Sequence, residues 1–481
     1  MMAARVPLRS SEMTAPKVTP NGAAGYHVEA KLMSASASHS IRRIVTAIAI
    51  CLGSSHAFAL APGQIGSLLT FPVSNTSDNA YAAVLDPNGT LVMAGSAQSG
   101  GQSALASIAS GSANGNFGVN GIVTYNFSAT LPDFLRAIVR MGDGRYVACG
   151  EMFSPSGTAR DFLTARFNAD GTLDGSFNFV GYADTPFLQT GVAGQLIDSC
   201  NAVAVQSDGK IVAAGFTQQF GPERVALVRY ATDGSLDATF GIGGKLVVDA
   251  AIGPTSDSVA QALLIQSDGK LLVAGYAQGT SNTDFMLLRL NGDGTADTAF
   301  GNNGIVRTPV GTGADFAYAM VLQPDGKIVL AGQAQSSGID FGLARYNTNG
   351  ALDATFGSGG LVTTPIGPGE DVAWSLALMP WGRLVAAGSS RISTSAGGTD
   401  IAAVAYNANG SLDRYFGTNG KLMAQVTAHP DEVIYGLATD ASGAHLWAVG
   451  AGVPSTDRDF LVLELGVPDT IFRSGFEVPV P

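Results

Sequence analysis

Cysteine, histidine and charged residues are all scarce in this chain of 481 residues. The sequence has three cysteines, five histidines and 13% charged side chains. A zinc site with several histidine ligands, or a set of Ser-His-Asp triads, therefore has few residues from which it could be built. Acidic residues outnumber basic ones by 38 to 26, which gives a net charge of −12. This balance excludes the basic surface of a protein that binds nucleic acid.

The apolar run at residues 44–53 is too short to cross a membrane, since a transmembrane helix needs ~20 residues. It follows Arg42-Arg43 and precedes Ala57-Phe58-Ala59, which has the small residues that a signal peptidase requires. These features predict a secretory signal peptide at about residues 33–59, within an N-terminal extension of residues 1–59. The alternative is a buried N-terminal helix.

Cleavage after Ala59 would make the chain more acidic and leave it two cysteines. Six basic and two acidic side chains precede the cleavage site, so the rest has 20 basic and 36 acidic residues and a net charge of −16. No transmembrane segment is predicted after that point. Cys149 and Cys200 fall in neighbouring repeats and would enter an oxidising compartment. They form either a disulfide or two buried free thiols.

What the sequence has in abundance is self-similarity. Seven turn glycines recur about every 59 residues, at Gly89, Gly144, Gly209, Gly269, Gly326, Gly382 and Gly443. A second set of landmarks, at Phe117, Phe177, Phe240, Phe300, Phe356 and Phe416, recurs about every 60 residues. A fixed period of this length is typical of repeat architectures.

Each repeat contains four short strands, here called a to d. In the repeat at residues 314–367 they are predicted at 316–322, 327–332, 340–346 and 361–365. Seven such units predict an all-β fold, a seven-bladed β-propeller with four antiparallel strands per blade. A β-solenoid is the second choice.

The two ends of the repeat region are offset by one strand. Residues 67–73 look like a strand d that precedes the first strand a, and the last repeat stops at a strand c, 459–465. We therefore expect the N-terminal strand to complete and close the last blade, because a closed ring leaves no exposed edge. Residues 60–466 form this single propeller, and 467–481 are a C-terminal tail.

The repeated residues resemble those of a known family. The pattern QPDGKIVLAG, DFGLARYN and NGALDATFG, clearest in residues 206–367, is similar to the delta-60 repeat family of bacterial proteins. The resemblance implies an exported, propeller-like protein without a defined biochemical activity. The tail at 469–477 is similar to a short ending of exported proteins of Gram-negative bacteria, the alternative being an ordinary tail. We therefore expect a monomer that is secreted, periplasmic or at the cell surface.

Two polar patterns recur between strands c and d. The motif Asn-x-Asp/Asn-Gly-x-x-Asp indicates a turn, with Ca²⁺ binding as the alternative. An arginine that ends strand c also precedes a loop aspartate by eight residues in four repeats. We predict structural ion pairs for Arg166 and Asp174, Arg229 and Asp237, Arg289 and Asp297, and Arg345 and Asp353.

A third pattern consists of acids that precede strand a. They are Asp78, Asp133, Asp198, Asp257, Asp315, Asp371 and Asp431, with Glu432 beside the last. With strand a innermost, they would surround one mouth of the central channel, next to variable loops of the kind that carry binding sites. The first hypothesis is an acidic face that binds a cation, a polyamine or a basic surface. The alternative is that each acid accepts backbone N–H bonds.

These patterns favour an exported, non-catalytic propeller that acts as a binding or surface-display scaffold. Its partner would be a protein, a glycan or a cationic ligand, and no cofactor is required. The second candidate is a propeller hydrolase or lyase at the channel mouth, with or without a metal, whose carboxylates would act as acid and base. The even distribution of the acids over seven repeats favours the scaffold.

Overall fold

A computed structural model describes residues 63–466, except 99–100, 129–130, 155–158, 188–196, 220, 254, 392–397, 428, 441 and 454–456. The predicted signal peptide, the N-terminal extension and the C-terminal tail lie outside the described residues. Parts of the variable loops between strands b and c do so as well.

The described residues form seven antiparallel sheets, one per repeat. Strand β1 (Ile65–Phe71) comes first in the chain. The first three blades contain β2 (Asn79–Leu85), β3 (Leu91–Ala97), β4 (Gln102–Ala109), β5 (Ser112–Ala113) and β6 (Ile122–Tyr125); β7 (Phe134–Arg140), β8 (Tyr146–Phe153), β9 (Arg160–Phe167) and β10 (Tyr182–Thr185); and β11 (Asp198–Val205), β12 (Ile211–Thr217), β13 (Arg224–Tyr230) and β14 (Lys245–Val248).

The remaining blades follow the same order. They contain β15 (Ser258–Ile265), β16 (Leu271–Gln278), β17 (Thr283–Leu290) and β18 (Ile305–Thr308); β19 (Phe316–Leu322), β20 (Ile328–Gln335), β21 (Ile339–Tyr346) and β22 (Leu361–Thr364); β23 (Asp371–Leu378), β24 (Leu384–Arg391), β25 (Thr399–Tyr406) and β26 (Lys421–Ala424); and β27 (His429–Thr439), β28 (Leu446–Val453) and β29 (Asp459–Leu465). A short 3-10 turn spans Pro380–Gly382. This confirms the predicted seven-bladed, four-stranded, all-β propeller.

The middle strands are buried and mostly apolar because neighbouring blades cover both faces of each sheet. All seven residues of β3 and of β13 are buried. Between the third and fourth blades, for example, Leu227 packs in one cluster with Val273 and Leu288. The low charge of the sequence follows from this arrangement, since few positions of strands b and c meet solvent. No helix among the described residues is long and apolar enough to span a bilayer.

The ring closes through its first and last strands. Strand β1 pairs antiparallel with β29, from Ile65 opposite Leu465 to Phe71 opposite Phe460. The pairing order of the seventh blade is β1, β29, β28 and β27, so that the N-terminal strand is the outermost strand there. The predicted closure by the N-terminal strand is confirmed.

Candidate functional site

A β-bulge occurs in the innermost strand of each blade. In β2, Ala80 lies opposite Gly95 and Ala82 lies opposite Ala94, so that Tyr81 is an extra residue without a partner in the ladder. A Cβ atom added to Gly95 would lie 1.9 Å from the carbonyl oxygen of Asn79. Only glycine therefore lets strand a fold this closely over strand b. A bulge of this kind re-aims the side chain of the extra residue.

The seven extra residues form what we call the bulge ring. Its members, in blade order, are Tyr81, Arg136, Asn201, Gln261, Tyr318, Trp374 and Tyr435. All seven are partly exposed and line one cavity of 490 Å³ in the central channel. The next residue of each strand, which is alanine, serine or glycine, also lines it. Sites for small molecules in proteins have volumes of ~300–1,000 Å³.

Four members from consecutive blades form an aromatic arc, namely Tyr318, Trp374, Tyr435 and Tyr81. Ring centroids are 4.3 Å apart between Tyr318 and Trp374, and 6.0 Å apart between Trp374 and Tyr435. Tyr435 and Tyr81 are 5.3 Å apart across the seam where the ring closes. Phe316 continues this aromatic surface beside Tyr318, at 6.5 Å.

The other three members, Arg136, Asn201 and Gln261, form a polar arc. Asn201 donates a hydrogen bond from Nδ2 to the carbonyl oxygen of Ala260 in the next blade, at 2.9 Å. Arg136 lies 5.0 Å above the ring of Phe134, and its side chain is 37% exposed. The cavity therefore has one apolar, aromatic side and one side of amide and guanidinium groups.

Burial keeps the phenol groups near the cavity protonated. It raises the pKa of Tyr318 and of Tyr435 above the usual value near 10, helped in each case by a neighbouring tyrosine. Burial likewise raises the pKa of Tyr276, which packs on Phe316, to about 12. At neutral pH these hydroxyl groups can therefore donate hydrogen bonds, but they do not act as bases.

The predicted acidic residues do not form seven equivalent, open groups. Asp78, Asp133, Asp198, Asp315 and Asp371 are fully buried. They accept hydrogen bonds from backbone N–H groups just before strand a, as Asp315 does from Val310 and Gly311 at 2.7 and 2.8 Å. These contacts correspond to the structural alternative for this pattern.

Two of the seven acids differ from the other five. Asp257 and Asp431 are exposed. The residue that occupies the buried position is Ser258 in the fourth blade and Glu432 in the seventh, each two residues before the one opposite the strand-b glycine. Glu432 accepts a hydrogen bond from the backbone N–H of Val426 at 2.8 Å. The buried position lies eleven residues before the turn glycine in every blade, and the sequence reading instead chose the acid one residue earlier in these two blades.

A second set of carboxyl groups, which the sequence reading missed, lies at the start of strand c in five blades. Its members are Asp161, Asp284, Asp340, Asp400 and Asp459. Burial raises the pKa of each. In all but Asp340 the buried acid of the following blade raises it further, as Asp315 does for Asp284. Asp161 also faces Asp184, and its pKa is raised to about 7.

The four predicted arginine–aspartate pairs are in contact near the turns between strands c and d. The distances from Nε to Oδ2 are 2.8 Å for Arg166 and Asp174, 2.8 Å for Arg229 and Asp237, 2.7 Å for Arg289 and Asp297, and 2.8 Å for Arg345 and Asp353. Each arginine also donates from Nη1 to a carbonyl oxygen of the next blade. These contacts connect the turn to the next blade, and the residues that make them do not line the cavity of the bulge ring.

The turn motif between strands c and d uses its side-chain oxygens locally. The backbone N–H of Thr172 donates to Asp170 Oδ1 at 3.0 Å, and that of Ala351 to Asn349 Oδ1 at 3.0 Å. Within the described part of the chain, no group of three or more histidine, cysteine or acidic side chains is arranged to hold a metal ion. Calcium binding stays a prediction.

The two remaining cysteines join neighbouring blades. Cys149 of β8 and Cys200 of β11 are fully buried, and their sulfur atoms are bonded at 2.03 Å. The structure therefore places a disulfide between the second and third blades.

The bulge ring itself was missed by sequence reasoning. The residue at this position of strand a varies from blade to blade, and the sequence analysis did not single it out. Aligning the repeats on the turn glycine places all seven members of the ring at one position, eight residues before that glycine. That alignment is the signal that could have found the ring.

Fold and cavity together define a repeat β-propeller with a ligand-sized site on its axis. Five segments match the family model described as "Domain of unknown function (DUF5122) beta-propeller", at residues 142–177, 206–240, 266–300, 323–356 and 382–416. These five segments are thus similar to the repeats of a β-propeller family.

Solved structures with a similar fold are distant in sequence. Virginiamycin B lyase from Staphylococcus aureus is 11% identical with a TM-score of 0.44, covering 83% of this chain and 99% of that chain. Sqt1 from Chaetomium thermophilum is 14% identical with a TM-score of 0.42, covering 83% and 100%. The polysaccharide lyase Uly1 is 11% identical with a TM-score of 0.42, covering 82% and 91%. No curated protein matches the chain.

Proposed function

We propose that this protein is an exported, non-catalytic binding propeller of the delta-60 repeat type, and that it holds a saccharide in its central cavity. The observation that carries the proposal is the division of the bulge ring into an aromatic arc and a polar arc. The faces of a sugar ring are rows of C–H groups, which pack on aromatic rings, and its edges are hydroxyl groups that need hydrogen-bond partners. Binding cavities combine these two kinds of surface.

Among the expected partners, a glycan fits the site better than a cation does. The buried acids Asp78, Asp133 and Asp315 use their oxygens on backbone N–H groups, so that these lone pairs are not directed at the channel. Carboxylates engaged in this way stabilise the start of strand a. The cavity wall consists of aromatic, amide and guanidinium groups instead.

Binding without catalysis is supported by the state of the polar groups. A general base is most effective when its pKa lies near the working pH. The phenols of Tyr318 and Tyr435 have raised pKa values and stay protonated, and Arg136 stays charged. These groups suit the recognition of hydroxyl and anionic substituents.

Export is supported by the disulfide between Cys149 and Cys200, because such bonds persist in oxidising compartments. Mass spectrometry of the mature protein from the culture medium and periplasm tests this. We expect a chain that starts at Leu60 and has both cysteines oxidised. A full-length cytoplasmic protein with free thiols would contradict export.

Saccharide binding is tested by calorimetry of the mature protein with a panel of oligosaccharides. We expect Trp374→Ala to lower the affinity about tenfold, since aromatic contacts of this kind contribute ~1 kcal/mol beyond their buried area. Trp381→Ala is the matched control, because Trp381 is 73% exposed in the turn between strands a and b. Absence of binding across the panel, or equal loss in both variants, would refute the proposal. Release of shortened sugars would support the hydrolase or lyase alternative.

A further inference from the structure

We infer that the saccharide bound in the central cavity is acidic, a hexuronate whose carboxylate is held by Arg136. This inference rests on the proposed function and specifies its ligand class. Arg136 is the one charged member of the bulge ring, and its positive charge determines which ligand groups it can bind.

Arg136 shares its nearest carboxylate with a second arginine. Glu151 is 2% exposed and lies 2.5 Å from Nη1 of Arg160, while Nη2 of Arg136 is 3.8 Å from the same oxygen atom. A distance of 3.8 Å is too long for a hydrogen bond. One carboxylate thus faces two guanidinium groups, and one positive charge is left over.

The guanidinium of Arg136 also has unused donors. Its Nε is buried and makes no hydrogen bond to any of the described residues. The planar group rests on Phe134, which fixes its orientation. A buried donor without a partner costs free energy. The side chain as a whole is 37% exposed, so that an incoming anion would meet the accessible N–H groups of the same guanidinium.

A second cation, Arg458, lies close to the aromatic pair at the seam. Both Arg458 and Arg136 act to lower the pKa of the Tyr435 phenol against the effect of burial and of Tyr81. Two guanidinium groups are therefore near Tyr435, although the chain as a whole is acidic. The nearby acids Asp78 and Asp133 are buried and bound to backbone N–H groups.

The order of the ring members matches the layout of a hexuronate. Tyr81 and Arg136 belong to adjacent blades, so the aromatic arc ends where the guanidinium begins. A pyranose stacked on Tyr81 and Tyr435 points its edge along the ring of the channel. A carboxylate on that edge can then accept two parallel hydrogen bonds from a guanidinium group, the geometry that distinguishes arginine from lysine.

The test uses one ligand in two charge states. We propose to compare trigalacturonate with its methyl ester, which keeps the sugar rings and removes the charge, by calorimetry with the mature protein. The free acid should bind at least about tenfold more tightly, as expected for a hydrogen bond to a charged group. In Arg136→Gln the ratio should fall to about one. In Arg136→Lys, which keeps the charge, it should stay above one.

Arg391→Gln is the control, because Arg391 is 44% exposed and pairs with Glu370 at the surface. It should keep the wild-type ratio. Equal binding of acid and ester to the wild type, or an unchanged ratio in Arg136→Gln, would refute the acidic ligand while saccharide binding stands. If a panel of neutral and acidic saccharides shows no binding at all, the proposed function itself fails.

Discussion

The glycine of strand b determines whether the innermost strand can bulge. At the seven equivalent positions, Gly95, Gly150, Gly215, Gly275, Gly332, Gly388 and Gly450, an added Cβ would lie 1.8–2.0 Å from a carbonyl oxygen of strand a. Distances this short require the backbone itself to move. The glycine is needed for space, and the bulge ring depends on it.

We predict that Gly275→Ala lowers the free energy of unfolding by about 1–3 kcal/mol, the usual cost of overpacking. The added methyl group would lie 2.0 Å from the carbonyl oxygen of Val259. Urea titration followed by tryptophan fluorescence measures the change. Gly142→Ala is the control, because nothing lies within 4 Å of the added atom there. Equal stability of both variants would contradict the steric role.

A pH dependence follows from Asp161. Its pKa in the folded protein is raised to about 7 by burial and by the neighbouring Asp184 and Asp198. Because the folded pKa exceeds the unfolded one, its stabilising effect is complete below the unfolded pKa of ~3.9 and is lost as pH rises through about 7.

We therefore predict that Asp161→Asn unfolds at nearly the same temperature as the wild type at pH ~4 and at a higher temperature at pH ~8. Melting curves across this range measure the difference between the two proteins. Asp208→Asn, at a side chain that is 55% exposed, is the control. Its unfolding temperature should differ from that of the wild type by the same amount at every pH. A pH-independent difference for Asp161→Asn would show that the group does not titrate in this range.

Where strand c ends, a buried arginine joins each of four blades to the next. Arg345 contacts Asp353 at 2.8 Å, lies 4.5 Å above the ring of Phe356, and donates from Nη1 to the carbonyl oxygen of Ala408 in the sixth blade. Lys327 approaches the same oxygen of Asp353 at 3.0 Å. One side chain thus fixes the turn of its own blade and the position of the neighbour.

We predict that Arg345→Gln lowers the free energy of unfolding by about 3 kcal/mol, because it removes the buried charged hydrogen bonds to Asp353 and to the carbonyl oxygen of Ala408. The exposed pair of Arg391 with Glu370 provides the comparison, and Arg391→Gln should cost less than ~1 kcal/mol. Chemical denaturation of the two variants measures both values. A similar cost for the two would argue against the inter-blade role.

The strands and the arginine–aspartate contacts could be predicted because they repeat in the sequence. The turn glycines mark where strand b begins. The arginine and the aspartate, such as Arg345 and Asp353, are eight residues apart in each of four repeats. The bulges could not be predicted in the same way. A bulge is one extra residue, and the residue at that position ranges from Asn201 to Trp374, so no residue type marks it.

The closed ring as a whole was predictable from the offset between its ends, since residues 65–71 supply the strand that residues 459–465 lack. The cavity was not. It depends on the summed size of seven side chains, each separated from the next by 55–65 residues of the chain. Only their placement around one axis shows that four aromatic rings are consecutive.

The disulfide constrains the whole ring by connecting two blades across 51 residues. We predict that the double variant Cys149→Ser, Cys200→Ser lowers the free energy of unfolding by about 4 kcal/mol, the value expected for closing a loop of this length. Denaturant titration of the oxidised wild type and the variant measures it. The control is the wild type under reducing conditions, whose free energy of unfolding should match that of the variant. Equal free energies for the variant and the oxidised wild type would contradict the prediction.

In each repeat the bulge leaves one residue beside the axis that takes no part in the pairing of the strands. Tyr81 and its six counterparts make no ladder pair, so a mutation at these positions leaves the hydrogen bonds between strands in place. A new ligand preference can therefore arise through seven codons, one per duplicated unit, without redesign of the blades. Gene duplication followed by divergence at a single site per copy is enough to change what the axis recognises.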